Sequence, residues 1–321
     1  MSTKAIERVC IVGATGHIGG AFAKALSQTG KHTVTALTRG DSKGQLPEGI
    51  KTVKLDYDDE PSIVEALKGQ QFLVITLGVQ APQDLHGRIA VAAAKAGVPY
   101  VMPNAYGYPI DRENFDEEDT FAATILAQIE KIEALGLSTV VLSCGLWYEW
   151  SLALGEQWFG FTIKDRKVTM IDDGKRILTV STWDQCGRAL AAFLSLPESG
   201  PSPCVGDFKN GAVLINSFRV SQRDMLDSLH RVMGTTDSDW DITYESVEKR
   251  MKDGTEELKQ GLRTGFAKLL YGRAFNVKKQ NSDFAATRPT ANVLLGLPKE
   301  DLDEATKRAV DMVESGWAPF G

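Results

Sequence analysis

A short stretch near the amino terminus restricts the possible folds of this chain more than any other feature. Residues 9–20 read VCIVGATGHIGG, in which an apolar, β-rich run is followed by Gly13, Gly16 and Gly19 and then by an amphipathic helix pattern. A strand, a Gly-x-x-Gly-x-x-Gly turn and a helix in this order are typical of a dinucleotide-binding βαβ unit. The alternative is a tight turn with a purely structural role, because three glycines at this spacing also occur by chance.

The first 145 residues continue the alternation of strand and helix patterns. Strands are predicted for the segments RVCIVG, HTVTALT, IKTVKLD, QFLVITLG, VPYVMP and LSTVVLSC. The segments between them have a helical period of 3.6, and several end in a glycine suited to a left-handed helix stop. This alternation predicts an α/β fold: a Rossmann-type doubly wound parallel sheet covered by helices on both faces.

The second half of the chain is less regular. Aromatic-rich loops, short strands such as ILTVST and helix patterns such as SQRDMLDSLHRVMG predict a smaller mixed α/β region, and Ser221 and Gly234 occupy the cap and stop positions of the latter helix. We divide the chain into an NAD(P)-binding Rossmann domain at 1–150 and a mixed α/β substrate-binding region at 151–321. Residues 251–290 form either a lid or a plain helical excursion.

Composition excludes several other classes of protein. The 321 residues carry a formal net charge of −6 without a block of lysine or arginine, which argues against nucleic-acid or anionic-membrane partners. There is no apolar run of about 18 residues and no signal-peptide pattern, and the four isolated cysteines are typical of reduced thiols. We expect a cytoplasmic monomer or homodimer. The four histidines lack metal-ligand spacing, so we expect no metal site.

The glycine turn predicts the first part of a cofactor site. Gly13 permits the tight turn, Gly16 lets backbone amides approach a pyrophosphate, and Gly19 lets the helix pack close to the strand. The helix amino terminus supplies partial positive charge to the anion. The residues predicted to bind cofactor at this turn are Gly13, Thr15, Gly16, His17 and Ile18.

The end of the second strand predicts which dinucleotide is bound. An acidic residue there would bind the ribose hydroxyl of NAD, whereas an arginine accommodates the 2′-phosphate of NADP. The segment TALTRGDSKG places Arg39 at that position and Lys43 four residues later, which favours NADPH/NADP. The alternative is that both cations are solvated and that Asp41 binds the hydroxyl.

Other cofactor contacts are predicted at the carboxyl ends of the following strands, where open α/β sheets bind ligands. These residues are Asp56, Tyr57, Thr76, Leu77, Gly78 and Asn104. Asp58, Asp59 and Glu60 are interpreted as the start of a helix before Pro61.

A wider resemblance rests on the motifs GATGHIGG, LDYDD, VMPNAYGY and DDGKRILTVSTWDQCGRALAAFL, together with Arg39. Over most of residues 7–250 the sequence resembles the NmrA-like and isoflavone-reductase-like proteins, atypical short-chain dehydrogenases/reductases, and its aromatic-rich middle is similar to a fungal branch of them. The resemblance implies NADPH-dependent reduction of small aromatic or phenolic compounds, with substrate held by the carboxyl-terminal region.

The resemblance also implies a catalytic lysine that this sequence lacks. Ordinary short-chain enzymes use a Tyr-x-x-x-Lys pair, and none of Tyr100, Tyr106 and Tyr108 has a lysine four residues later. Isoflavone-reductase relatives instead place a lysine near the start of the helix before the sixth strand, where this chain has Thr124 between an alanine and an isoleucine. Lys131, about two turns further on, is either a solvated lysine beside Glu130 and Glu133 or a displaced base.

Two tyrosines are the candidate catalytic residues. Tyr106 and Tyr108 follow the fifth strand, where the nicotinamide of such enzymes is expected, and a phenol can donate to a developing oxyanion. The alternative is that both are packing residues with satisfied hydroxyls.

The segment CGLWYEWSLALGEQWFGF is dense in aromatic side chains. It predicts either the wall of an apolar substrate pocket, with Glu149 as a polar group, or a helix that docks one region on the other. The predicted pocket residues are Trp147, Tyr148, Trp150 and Trp158.

Three functions remain open from the sequence. The first is an NADPH-dependent oxidoreductase that reduces a small aromatic or polyketide-like substrate by hydride transfer. The second is an NmrA-like regulator that senses dinucleotide without turnover, as the missing lysine would permit. The third is a redox-neutral dehydratase or isomerase on the same fold.

Overall fold

The computed structural model describes residues 4–40, 44–78, 80–112, 119–276 and 282–318. The chain forms two compact units, and each consists of three separate stretches. The first unit contains Met1–Ser143, Trp183–Ile215 and Thr290–Leu297, and the second contains Cys144–Thr182, Asn216–Pro289 and Pro298–Gly321. The predicted single boundary after residue 150 therefore differs from the observed division, in which residues 183–215 return to the first unit.

The strands and helices are as follows. The strands are β1 (Arg8–Val12), β2 (Thr33–Arg39), β3 (Lys51–Leu55), β4 (Phe72–Ile75), β5 (Tyr100–Met102), β6 (Ser138–Ser143), β7 (Leu146–Trp147), β8 (Phe161–Thr162), β9 (Lys167–Ile171), β10 (Leu178–Ser181), β11 (Gly211–Leu214), β12 (Phe218–Val220) and β13 (Asp241–Glu245). The helices are α1 (His17–Gln28), α2 (Glu60–Leu67), α3 (Leu85–Ala96), α4 (Thr120–Ala134), α5 (Tyr148–Ala153), α6 (Trp183–Leu194), α7 (Gln222–Met233), α8 (Val247–Lys259), α9 (Arg263–Phe275), α10 (Phe284–Thr287) and α11 (Leu302–Glu314).

Seven parallel strands form the sheet of the first unit, in the order β11-β6-β5-β4-β1-β2-β3. From β6 to β3 this is the order of a doubly wound dinucleotide-binding sheet. The predicted fold class, a Rossmann-type parallel sheet with a smaller mixed α/β region, is confirmed, and so are the six predicted strands. The carboxyl ends of β1 and β4 flank the point where such sheets bind ligands.

Helix α6 and strand β11 complete the first unit from a distant part of the sequence. A Cβ atom on Gly187 would lie 2.6 Å from the Ala21 carbonyl oxygen, so this glycine lets α6 approach α1 closely. Strand β11 pairs with β6, and the Ala291 amide donates to the Leu214 carbonyl at 2.7 Å. These pairings explain why the second and third stretches belong with the first.

The second unit contains two mixed three-stranded sheets, β12-β10-β7 and β13-β9-β8. Its core includes Tyr148, Phe161 and Leu229. Ser221 and Asp224 form a reciprocal cap at the start of α7, and Gly234 ends that helix in the left-handed conformation, as predicted. The described part of residues 251–290 is largely helical, whereas its interpretation as a lid stays a prediction.

Candidate active site

The glycine turn between β1 and α1 has no room for a side chain at Gly13 or Gly19. Gly13 has φ +81°, and a Cβ atom there would lie 2.0 Å from the Thr76 carbonyl oxygen. A Cβ atom on Gly19 would lie 2.3 Å from the Gly13 carbonyl oxygen. Gly16 precedes α1 and has no side chain to cap it, so the first amides of α1 can face an anion. The predicted residue Ile18 is 7% exposed, which leaves mainly its backbone for such contact.

A cavity of about 300 Å³ lies beside this turn. Thr15, Thr38, Gly44, Thr52 and Lys54 line it together with residues 46–50. The Thr38 hydroxyl is buried and makes no hydrogen bond to any described residue. Burying a hydroxyl without a hydrogen-bond partner destabilises a folded protein by about 1–3 kcal/mol. A polar ligand in the cavity could remove this penalty by bonding to the Thr38 hydroxyl.

Arg39 is the last residue of β2, and its side chain is exposed. Its backbone pairs with Leu55 of β3, which places it at the carboxyl end of the sheet as predicted. Lys43, the second predicted phosphate contact, and Asp41 lie outside the described residues.

The turn after β3 is held by its own hydrogen bonds. Asp56 Oδ1 accepts the Asp58 amide at 2.9 Å, and the Tyr57 hydroxyl donates to the Leu37 carbonyl at 3.0 Å. Burial raises the pKa of Tyr57 above its ordinary value. Helix α2 begins at Glu60, so the predicted helix start at residues 58–60 is confirmed.

Asn104 links the carboxyl ends of β4 and β5. Its side-chain oxygen accepts the Leu77 amide at 3.2 Å, and its side-chain nitrogen donates to the Leu77 carbonyl at 2.9 Å. The Asn104 amide donates to His86 Nε2 at 3.3 Å. Thr76 donates its hydroxyl to the Val12 carbonyl at 2.7 Å, while a Cβ atom on Gly78 would meet open space. The predicted contacts after β4 and β5 therefore lie side by side.

Both candidate catalytic tyrosines donate their hydroxyls to the protein. Tyr106 donates to the Ile75 carbonyl at 2.9 Å, and Tyr108 donates to Asp119 Oδ2 at 3.0 Å. Asp119 also caps α4 by accepting the Ala122 amide at 3.0 Å. This is the arrangement expected for packing tyrosines with satisfied hydroxyls, the alternative interpretation of these residues.

The helix that should carry the family lysine contains no substitute at the matching position. The Thr124 hydroxyl donates to the Thr120 carbonyl of its own helix at 2.8 Å. Lys131 lies against α3, because a Cβ atom on Gly87 would be 2.6 Å from Lys131 Nζ. Glu133 pairs with Arg112 at 2.7 Å.

The aromatic segment lies in the second unit and forms an interlocking cluster. The Trp150 ring makes edge contacts with Trp147, Trp158 and Trp317 at centroid distances of 6.1, 6.4 and 5.4 Å. Tyr148 is fully buried, and its hydroxyl lies 2.6 Å from Thr306 Oγ1, so Tyr148 is a core residue. Glu149 is 4% exposed.

Several residues of the site were not predicted from the sequence. Trp183 is one of them, and the predicted residue His17 stacks on it, with ring centroids 4.9 Å apart and an interplanar angle of 5°. Thr38, His86 and Trp317 were not predicted either. The only available signal was for Thr38, which immediately precedes Arg39 at the end of a predicted strand.

The described residues contain no group of histidine, cysteine and acidic side chains that could hold a metal ion. No helix among them is long and apolar enough to cross a membrane.

Comparison with known proteins supports the resemblance to the NmrA-like family. Residues 5–151, a little under half of the chain, match the model of that family. The oxidoreductase aprR of Aspergillus flavus is 28% identical to this chain over 304 residues, which cover 92% of this chain and 96% of that protein.

Two solved structures show the same fold as this chain. A crystal structure of isoflavone reductase has a TM-score of 0.73 at 21% identity, covering 94% of this chain and 99% of that one. The binary complex of leucoanthocyanidin reductase and NADPH from Vitis vinifera has a TM-score of 0.72 at 14% identity, with the same coverage.

Proposed function

We propose that this protein is a member of the NmrA-like family and an NADPH-dependent reductase that transfers hydride to a small aromatic or polyketide-like substrate. The observation that carries the proposal is the turn between β1 and α1, which has no room for a side chain at Gly13 or Gly19, beside a cavity lined by Thr38, whose hydroxyl bonds to no described residue. The names of the relatives agree with it, since they are an oxidoreductase, an isoflavone reductase and a leucoanthocyanidin reductase bound to NADPH.

Different residues of the first unit would bind different parts of the cofactor. The amides at the start of α1 would bind the diphosphate. Arg39 would bind the 2′-phosphate, with Thr15, Thr38 and Lys54 on the adjoining cavity wall. When bound, NADPH supplies the hydride. Asn104 holds the ends of β4 and β5 together beneath the expected position of the nicotinamide.

Tyr106 is the better candidate proton donor of the two tyrosines. To reach a substrate, Tyr106 must leave a neutral hydrogen bond to a carbonyl, worth about 0.5–1.5 kcal/mol, whereas Tyr108 must leave a bond to a carboxylate, worth about 1.5–3 kcal/mol. The difference favours Tyr106. The partly exposed Trp147 and Trp158 would supply aromatic surface for a flat substrate in the second unit, and the buried Trp150, in edge contact with both, would support them.

The alternative function is an NmrA-like regulator that binds dinucleotide without turnover. Two observations favour it. The hydroxyls of Tyr106 and Tyr108 already donate hydrogen bonds within the protein, and the position of the family lysine is occupied by Thr124, which is not a base. Oxidation of NADPH separates the two functions, because a sensor binds the cofactor without consuming it.

The first experiment is a binding titration with NADPH and NADH, followed by quenching of tryptophan fluorescence. We expect NADPH to bind at least about tenfold more tightly than NADH, because the arginine contact to the 2′-phosphate is charge-assisted. Arg39→Gln should remove this preference. Thr38→Val should weaken NADPH binding without destabilising the free protein, because the hydroxyl has no partner among the described residues.

The matched control is Thr35→Val on the same strand, whose hydroxyl accepts from Gln70 and does not line the cavity. It should leave NADPH affinity unchanged. Equal affinities for NADPH and NADH in the unmodified protein would contradict the cofactor assignment. The substrate assignment is tested by following NADPH absorbance with an isoflavone as the first substrate. No oxidation of NADPH with this compound or with a panel of quinones would favour the regulator.

A further inference from the structure

The His17–Trp183 stack lies at the amino termini of two helices. His17 is the first residue of α1 and Trp183 is the first residue of α6. The nearly parallel rings, 4.9 Å apart, fix the imidazole against one face of the indole. Since each helix has twelve residues, each contributes substantial positive partial charge at this end. His17 also directly follows Gly16, so its imidazole belongs to the proposed diphosphate-binding turn.

The surroundings of His17 oppose its protonation in the free protein. Although His17 is an exposed residue, partial desolvation of its imidazole lowers the pKa of His17 below its ordinary value. The two helix amino termini act in the same direction, because they disfavour positive charge. Among described residues, the charged groups on α1 and on the elements packed against it are Lys24 on α1, Arg8 on β1, Arg39 on β2, and Asp184 and Arg188 on α6. Arg188 is engaged with Gln185 at 3.0 Å.

A bound diphosphate reverses this balance. A negative group held by the amides of α1 stabilises a nearby imidazolium. The indole face also attracts a cation, so the stack with Trp183 is strengthened rather than broken when the imidazole becomes charged.

We propose that His17 takes up a proton from solvent when a dinucleotide diphosphate binds, and that Trp183 positions the imidazole for this. The inference rests on the proposed cofactor function and adds a proton linkage to it. Affinity for the dinucleotide should therefore increase as the pH falls between about pH 8 and pH 6, by at most about tenfold per pH unit.

The test is calorimetric titration of the full chain with NADP⁺, which binds without turnover. Measuring the binding enthalpy at one pH in phosphate and in Tris separates proton uptake from intrinsic enthalpy, because the two buffers differ in ionisation enthalpy. We expect proton uptake in the unmodified protein and less uptake in His17→Gln. Proton exchange by the 2′-phosphate occurs in both proteins and cancels in the difference. His230→Gln, in the second unit, is the matched control and should retain the uptake.

Variants of Trp183 test its positioning role. Trp183→Phe keeps an aromatic face and should retain most of the uptake, whereas Trp183→Leu should lose it while still binding NADP⁺. Full uptake in Trp183→Leu would overturn the role of this residue.

The outcomes distinguish the inference from the proposed function. Equal proton uptake in the unmodified protein and in His17→Gln, with NADP⁺ bound by both, overturns the inference and leaves the cofactor function intact. Failure of the unmodified protein to bind NADP⁺ overturns both. If His17→Gln does not fold, the affinity of the unmodified protein for NADP⁺ is measured as a function of pH instead. An affinity that does not change between about pH 6 and 8 contradicts the proposed proton uptake.

Discussion

Beyond the ends of β4 and β5, side chains form the hydrogen bonds to backbone groups that strand pairing no longer provides. The last registered pair of the two strands is Val74 with Met102. Beyond it, the Asn104 side chain bonds both polar groups of Leu77, and the Tyr106 hydroxyl satisfies the Ile75 carbonyl. Buried backbone groups need such partners once a ladder stops. The polar residues after β5 therefore have a structural task, whether or not they also serve in catalysis.

His86 should make the protein sensitive to acid. Burial, assisted by Lys131, lowers the pKa of His86 from 6.5 to about 4. The unfolded chain therefore binds this proton more readily, so the stability contributed by neutral His86 is present above about pH 6.5 and is lost as the pH falls towards 4. The shift corresponds to about 3 kcal/mol of unfolding free energy. Urea unfolding at a series of pH values measures it.

The matching variant is His86→Gln, whose side-chain oxygen can accept the Asn104 amide without binding a proton. Acidic side chains titrate over the same range in both proteins, so the difference between the two pH profiles isolates His86. Parallel profiles would show that the imidazole is not the acid-sensitive group.

The sequence predicts where the site residues lie better than what their side chains do. Arg39, Tyr57 and Asn104 were placed at the carboxyl ends of strands because strand topology determines that edge. The hydroxyl acceptors of Tyr57 and Tyr106 were not predictable, because they are carbonyls on strands distant in sequence. The stack of His17 on Trp183 depends in the same way on a packing contact between α1 and α6.

At the scale of elements, the contact between α1 and α6 depends on one small residue. We expect Gly187→Ala to destabilise the protein by about 1–3 kcal/mol, because the added methyl group would meet the Ala21 carbonyl at 2.6 Å. The clash should outweigh the gain of about 1 kcal/mol in helix propensity. Urea unfolding of both proteins measures the change.

Gly20→Ala in α1 is the matched control, because its new methyl group would lie 3.6 Å from the nearest atom, an ordinary contact. That variant should be as stable as the unmodified protein or more stable by up to about 1 kcal/mol. Equal effects of the two substitutions would mean that close approach of the helices is not the reason for Gly187.

Local patterns predict elements well and their partners less well. Strands β1 to β6 were recognised from apolar runs, and the end of α7 from a single glycine. Strand β11 was not predicted, because it has four residues and its only signal is pairing with β6, about 70 residues earlier in the sequence. The membership of α6 in the first unit likewise follows from packing on α1.

At the scale of the whole molecule, the first unit needs all three of its stretches. We expect a fragment of residues 1–150 not to fold, because it lacks α6, β11 and the segment at 290–297. The face of α1 that packs on α6 would be exposed, and β6 would become an open sheet edge. Far-ultraviolet circular dichroism and gel filtration of the fragment, with the full chain as control, test this. Cooperative unfolding and NADPH binding by the fragment would contradict it.

The interleaving of the two units limits how proteins of this architecture can exchange parts. The chain passes from one unit to the other after residues 143, 182, 215, 289 and 297. A single crossover in gene recombination therefore always leaves at least one of the two units with stretches from both parents. A hybrid that combines the whole first unit of one parent with the whole second unit of another needs five junctions. If the second unit binds the substrate, as we propose, point substitutions within it change substrate preference with fewer disruptions than exchange of the whole unit.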